Sequence, residues 1–330
     1  MREIVIAVDL GATNIRVGVF DVKNKYFLEK TQELTKVSEG PQAISLQVVE
    51  NVKKTLSKWQ LNNKILGIGV IAPGPVDLKR GGLIRSTNIP YEFVPVMEPL
   101  EEEFKLPIGF MHDAKASALA EYMFGAGKTM NTEYLAFITI STGIGGGIID
   151  GGKLIIGADG NAGEVGCTLV DYRGRMRCGC GSYGHWQAYA SGSSIPRYVK
   201  YLVEDGRIKL RNDSLLLRTS NNLTKFSAKV LYECAKKGDP IALEIIDELA
   251  IINAAGIANV INAFNPEVLT LGGPIVLNNV ELTIEKIIPR LQNYLRVRMP
   301  KLIPTPLGLE IGLYGAVAVL LQKMKAISSR

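Results

Sequence analysis

No apolar stretch of the 330-residue chain approaches the ~20 residues that a membrane-spanning helix needs, so no membrane association is expected. The apolar opening at residues 4–8 is too short for the hydrophobic region of a secretory leader and runs straight into Asp9, so a cytoplasmic location is expected. Basic runs are also missing. The 38 Lys and Arg residues are interspersed with 32 Asp and Glu residues, and the net charge of +6 suits an anionic small molecule as well as nucleic acid. No low-complexity linker divides the chain. Cysteine and histidine are scarce, at four and two residues, so their placement carries weight. What is present is ordinary for a globular protein: 47% apolar and 21% charged residues, with length enough for two lobes and a substantial core.

Three of the four cysteines and one of the two histidines fall between positions 167 and 185, spaced Cys167-x10-Cys178-x-Cys180-x4-His185. Four such ligands in one loop match a closed tetrahedral structural zinc site, with no open position for catalysis. Glycines at 179, 181 and 184 let the loop fold tightly enough to aim the Cys178 and Cys180 sulfurs at one ion. The alternative is a set of buried thiols or a disulfide, in which His185 would have no part. A closed zinc site does no chemistry itself, but it would brace Glu164, three residues before the first ligand. Cys234 lies in a helical pattern and is expected to be buried.

Residues 4–8 read as a strand covered on both faces, and residues 15–21 alternate as a returning strand. The turn between them contains Asp9, Gly11, Thr13 and Asn14. Backbone N–H groups in such a turn, with the Thr13 and Asn14 side chains, can hold phosphate oxygens, and Asp9 can hold Mg²⁺ through water. A plain hairpin turn is the alternative. Residues 134–140 form a second buried strand that turns through Ser141, Thr142, Gly143 and Gly145 and returns at 148–150. This repetition of the strand, glycine turn, strand plan favours a polyphosphate gripped from both sides.

Helices are expected at 41–59, 114–124, 194–204, 228–237, 240–262, 276–295 and 313–324, with strands at 65–71, 106–111 and 268–271. A mobile polar loop is expected at 205–225. Asp113 ends one strand and begins a helix, so it is either an N-cap or a carboxylate pointing into a ligand site at the strand's C-terminal end. Asn88, in the polar cluster 86–90, is either a turn residue or a polyol ligand. Gly272 and Gly273 follow the strand at 268–271 and would let a flat base or ribose approach the backbone. Two motif matches fail. Gly127-Lys128-Thr129 has Tyr122 where a phosphate-binding loop needs its first glycine, and the series begun by Gly143 and Gly145 meets Ile148 where a dinucleotide fingerprint needs its third.

Together and in order, these motifs resemble the ROK family of sugar kinases and repressors, within the actin-like ATPase superfamily. The resemblance spans nearly the whole chain. It rests on Asp9-x-Gly11-x-Thr13, Ala72-Pro73-Gly74, Asn88, Asp113-Ala114, Ser141-Thr142-Gly143-x-Gly145-Gly146 and Gly163-Glu164-x-Gly166. Cys178-Gly179-Cys180-Gly181, Ser191-Gly192, and Pro266 with Gly272-Gly273 complete it. It implies an α/β fold of two RNase H-like lobes around a central cleft. The small lobe would be residues 1–113 plus about 312–330, and the large lobe residues 114–311 with the zinc loop at 167–185.

The resemblance also implies ATP-dependent phosphorylation of a hexose at its C6 hydroxyl, with Mg²⁺ and a structural Zn²⁺. Asp113 would be the base that accepts the hydroxyl proton. Gly74, Asn88, Glu164 and Gln187 would line the sugar. The turns at 9–14 and 141–146 would hold phosphates, and Gly272-Gly273 would border the adenosine. A homo-oligomer, dimer or tetramer, is expected.

The chain departs from the family where a zinc-binding His is usual and Cys167 stands, and where a Cys is usual and His185 stands. The ligand set is permuted rather than lost. A thiolate committed to zinc cannot also touch the sugar, and Gln187 replaces the usual glutamate, so discrimination around C1 and C2 is expected to weaken. His112 and Lys115 replace familiar asparagines. An N-acetylhexosamine or fructose kinase is the rival enzyme. A sugar-responsive repressor is the rival from another class, disfavoured because Asp9 leaves no room before it for a winged helix-turn-helix. A zinc-knuckle nucleic-acid module is disfavoured too, so no nucleic-acid partner is expected.

Overall fold

The computed structural model describes residues 1–86, 88–211, 214–221 and 223–328, so Thr87 of the expected polar cluster and three positions of the expected polar loop lie outside the described residues. The chain forms two compact units, Met1–Thr129 with Lys153–Gly163 and Glu310–Arg330, and Met130–Gly152 with Glu164–Leu309. The fold is mixed α/β.

The sheet of the first unit runs in the order Tyr26–Leu34, Asn14–Asp21, Arg2–Leu10, Asn63–Ala72, Ile108–His112. The first three strands are antiparallel, and the last two join in parallel. Helices cover both faces, which is why residues 4–10 are buried without alternation. Ile4, Ile6, Val8, Ile68 and Val70 share a core with Ile44, Val48 and Val52 of the helix Pro41–Trp59. On the other face, Gly67, Gly69 and Gly109 lie against Ala316 and Leu320 of the helix Ile311–Ser328. A Cβ on Gly69 would lie 1.9 Å from the Ala316 carbonyl oxygen, so this helix packs backbone to backbone on the sheet.

The sheet of the second unit contains, in order, Ile144–Asp150, Leu135–Ile140, Val268–Gly272 and Lys301–Pro304. The first pair is an antiparallel hairpin and the others are parallel. Behind it the helix Pro240–Phe264 buries Ile245, Leu249, Ile257 and Ile261.

Three local expectations are corrected. The stretch expected to be a loop at 205–225 contains the helix Leu215–Thr219, because Ser214 caps Leu217 and is itself held by Asp239 at 2.9 Å. The helix expected at 276–295 is two, Pro274–Leu277 and Ile284–Leu291. Between them Asn279 Nδ2 bonds the Ile275 carbonyl at 2.8 Å and Thr283 Oγ1 bonds the Asn279 carbonyl at 2.7 Å, local bonds that compete with a continuous helix. The helix after Ile108–His112 starts at Asp113 itself, with His112 as its N-cap.

Candidate active site

In the first unit, Asp9 and Arg16 are cross-strand partners of the opening hairpin, and their side chains form an ion pair. The turn between the strands is closed by the Gly11 N–H donating to the Asn14 carbonyl at 2.9 Å. Thr13 is exposed at its tip, and Asn14 begins the returning strand half-buried. Burial pushes the Asp9 carboxyl above its usual range and neighbouring Asp113 adds to the rise, while Arg16 opposes both. A Cβ on Gly312, in the first turn of the helix Ile311–Ser328, would lie 2.4 Å from Asp9 Oδ2. Gly312 thus makes room for the carboxylate. Sequence reasoning did not single it out as a site residue.

Asp113 stands where the buried strand Ile108–His112 passes into the helix Asp113–Met123. Its Oδ1 accepts from the Ala114 N–H at 2.6 Å, a donor it shares with His112 Nδ1 at 3.1 Å. His112 is buried against Gly74, where an added Cβ would lie 2.4 Å from Nε2. Burial pushes Asp113 up to about 6, although 44% of its side-chain surface stays open; the Ala114 amide and Lys115 act in the opposite direction. Lys115, one of the departures from the family pattern, is fully buried. Asn88 is an exposed turn residue next to the Ser86–Ile89 bridge.

In the second unit, the hairpin turn is closed by the Ser141 N–H donating to the Gly143 carbonyl at 2.8 Å, with Thr142 exposed and Gly145 half-buried on the returning strand. Ser193 ties this turn down, its hydroxyl donating to the Thr142 carbonyl at 2.8 Å. Gly272 ends the neighbouring strand. Gly273 has φ of 86°, and a Cβ there would lie 2.4 Å from the Ile140 carbonyl oxygen. The two glycine turns of this unit therefore lie side by side. Glu164 is exposed at the start of the short turn Val165–Cys167, and Gly166 seats that turn on the hairpin, since a Cβ there would lie 2.1 Å from the Ile144 carbonyl oxygen.

The ligand atoms of Cys167, Cys178, Cys180 and His185 all lie within 4.8 Å of one another. Tetrahedral zinc with Zn–S bonds of about 2.3 Å needs ligands roughly 4 Å apart, so the cluster fits that ion. The four cysteines of the chain are free, and no disulfide joins any two of them in this structure. A hydrogen bond between the Cys167 and Cys178 side chains holds the Cys167 thiol above its usual range and draws Cys178 below it, as expected of two sulfurs crowded together. Backbone bridges Leu169 to His185 and Arg177 to Tyr183 close the loop.

Sequence reasoning missed the supports of this loop. Buried Asp171 accepts from Arg175 Nε at 2.9 Å and from the Tyr189 hydroxyl at 2.5 Å, and Tyr189 in turn accepts from the Met176 N–H at 3.1 Å. Trp186, next to His185, is fully buried on the long helix and donates to Asn253 at 2.9 Å. A Cβ on Gly256 would lie 2.1 Å from its ring. The available signal was compositional, since Trp186 is one of only two tryptophans and follows the last ligand.

The architecture is that of solved sugar-kinase structures. A ROK hexokinase from Thermus thermophilus superposes with a TM-score of 0.81 at 31% identity, over 98% of this chain and 99% of that one. A ROK glucokinase from Streptomyces griseus, solved with glucose and AMPPNP, gives 0.76 at 31%, over 97% and 99%. A glucokinase of Aeropyrum pernix is 33% identical over 324 residues, 96% of each chain. The chain belongs to the ROK family, whose model matches residues 5–323. Among the described residues no helix is long and apolar enough to cross a membrane.

Proposed function

We propose that the protein is an ATP-dependent hexokinase that transfers the γ-phosphoryl group to the C6 hydroxyl of a hexose. The observation that carries the reading is Asp113: a partly open carboxylate at the C-terminal end of a buried parallel strand, pushed up to about 6. A base with that affinity stays ionised at neutral pH yet can take a proton as the hydroxyl oxygen attacks phosphorus. The new bond is O6–P, the bond broken joins phosphorus to the departing ADP oxygen, and the hydroxyl proton passes to Asp113. The likeness to glucokinases and to a structure holding glucose and AMPPNP supports the same substrates here.

The two units divide the remaining roles. In the first, backbone N–H groups of the Gly11–Asn14 turn with Thr13 bind phosphate, and Asp9 holds the nucleotide's Mg²⁺ through water. Gly74 and Asn88 face the sugar. In the second, Thr142, Gly143 and Gly145 bind phosphate, Gly272 and Gly273 border the adenosine, and Glu164 binds sugar hydroxyls. Gln187 edges the sugar subsite without a charge, and Cys167 is committed to metal, so glucose, mannose and 2-amino-2-deoxyglucose should differ in kcat/KM by only about tenfold. Cys167, Cys178, Cys180 and His185 hold a structural Zn²⁺ that fixes the Glu164 turn. The reading carries with it a cytoplasmic homo-oligomer, dimer or tetramer.

A coupled assay of ADP release over a panel of hexoses, N-acetylhexosamines and fructose, with the product's phosphate located by NMR, tests it. Hexose 6-phosphate formed from ATP is the expected outcome. A preference for an N-acetylhexosamine or fructose would move the protein to the rival kinase class, and sugar binding without turnover would favour a sugar-responsive repressor.

A further inference from the structure

We infer that Gln187 is a positioning residue of the metal centre, its side-chain amide donating both N–H bonds to two of the sulfur ligands. The inference rests on reading the Cys/His cluster as a metal site. Gln187 Nε2 lies 3.3 Å from Cys167 Sγ and 3.3 Å from Cys178 Sγ. A primary amide has two N–H donors, so one nitrogen can serve both sulfurs at once. The other end of the group faces elsewhere: a Cβ on Gly143 would lie 3.4 Å from Gln187 Oε1. Gln187 is the first residue of the short helix Gln187–Ala190, which begins directly after buried Trp186, so the amide is set from a fixed backbone.

The chemistry explains why an amide stands there. Three thiolates around a dication leave one net negative charge, and N–H donors to sulfur disperse it. A carboxylate of the same shape has no donor to offer and would set a second negative charge against two sulfurs. The same side chain reaches from the sulfurs toward the second glycine turn, since it is the nearest group that a Cβ on Gly143 would meet.

Gln187→Met removes the donors at similar volume, and Gln187→Glu replaces them with charge. Zinc affinity, measured by competition with a chromogenic chelator, is expected to fall about 10-fold in the first and closer to 100-fold in the second. In Co²⁺-substituted protein, the sulfur-to-cobalt charge-transfer band is expected to move to longer wavelength in both, because thiolates without N–H donors give up electrons more easily. Variants that bind zinc as tightly as wild type with an unmoved band overturn the inference. Wild-type protein that takes up neither metal overturns the metal-centre reading, and the inference with it. Neither readout depends on sugar phosphorylation.

Discussion

The two hairpins that open the two sheets share a backbone plan and differ in chemistry. Each turns through glycine and closes on a single backbone bond, 2.9 Å at Gly11 and 2.8 Å at Ser141. The first carries Asp9 and Arg16 at its neck, with Asp113 close enough to affect Asp9. Residues 140–146 of the second carry no charged side chain. The first unit thus carries the charged groups to which the proposed reaction assigns cation and proton handling, and the second has an uncharged turn and close backbone approach beside a thiol-rich loop. A duplicated fold need not duplicate function, because the turn is set by a few glycines while the chemistry lies in its flanking residues.

The sharpest break of this comparison is at Asp113. Asp113→Asn should leave the helix start intact, since an amide oxygen can accept the same Ala114 N–H, yet lower kcat by ~10²-fold or more. Near-normal kcat would remove Asp113 as the base and with it the claim that the first unit supplies the proton acceptor. A change of similar weight on the other side is Cys178→Ser, which should reduce bound zinc below one per chain and lower the melting temperature by several degrees, because metal affinity at a structural site is folding energy. Full stability in the metal-free protein would separate the loop from the fold of the second unit.

A pH titration sharpens the contrast further. With Asp113 pushed up to about 6, kcat/KM should be level above that pH and fall about tenfold per unit below it as the base protonates. Stability should move the opposite way. The folded state holds this proton where the unfolded state has lost it, so ionised Asp113 disfavours folding above about 6, and the penalty fades as pH falls toward the usual carboxylate range. Asp113→Asn should therefore melt higher than wild type at pH 8, with the gap closing toward pH 4. A gap that does not change with pH would show that Asp113 is not held up by burial.

Much of this was legible in the sequence because it is written in period and spacing. The helix at 41–59 was marked by its apolar stripe and by Pro41 at its start, and it is observed as Pro41–Trp59. The buried strands announced themselves as continuous apolar runs. The Cys/His cluster was legible because its four residues lie within one loop. What escaped was set by tertiary contact. The support of Asp171 by Tyr189 joins residues eighteen apart through a side chain. Gly312 comes to Asp9 only after the chain has passed through the whole second unit. The break between Pro274–Leu277 and Ile284–Leu291 depends on Asn279 and Thr283 bonding locally, where the apolar pattern alone continues the helix.

The smallest expected effects come from matched alanines in the two turns. A Cβ on Gly11 would lie 2.9 Å from the Asn14 carbonyl oxygen, the same atom that accepts the bond closing the turn. Backbone cannot yield there without opening the hairpin, so Gly11→Ala should cost about 1–3 kcal/mol of stability and raise KM for ATP as well. A Cβ on Gly143 meets only the end of the Gln187 side chain, at 3.4 Å, an ordinary contact. Gly143→Ala should therefore fold within ~0.5 kcal/mol of wild type. If phosphate oxygens approach the backbone of that turn, the added methyl still stands in their way, and KM for ATP should rise by roughly tenfold, about 1.4 kcal/mol, with KM for the sugar little changed. Melting curves and KM for both substrates, measured in the two variants, separate the cases. A Gly143→Ala enzyme that is normal in every readout would leave the second turn a hairpin and nothing more, and phosphate binding would rest on the first unit alone.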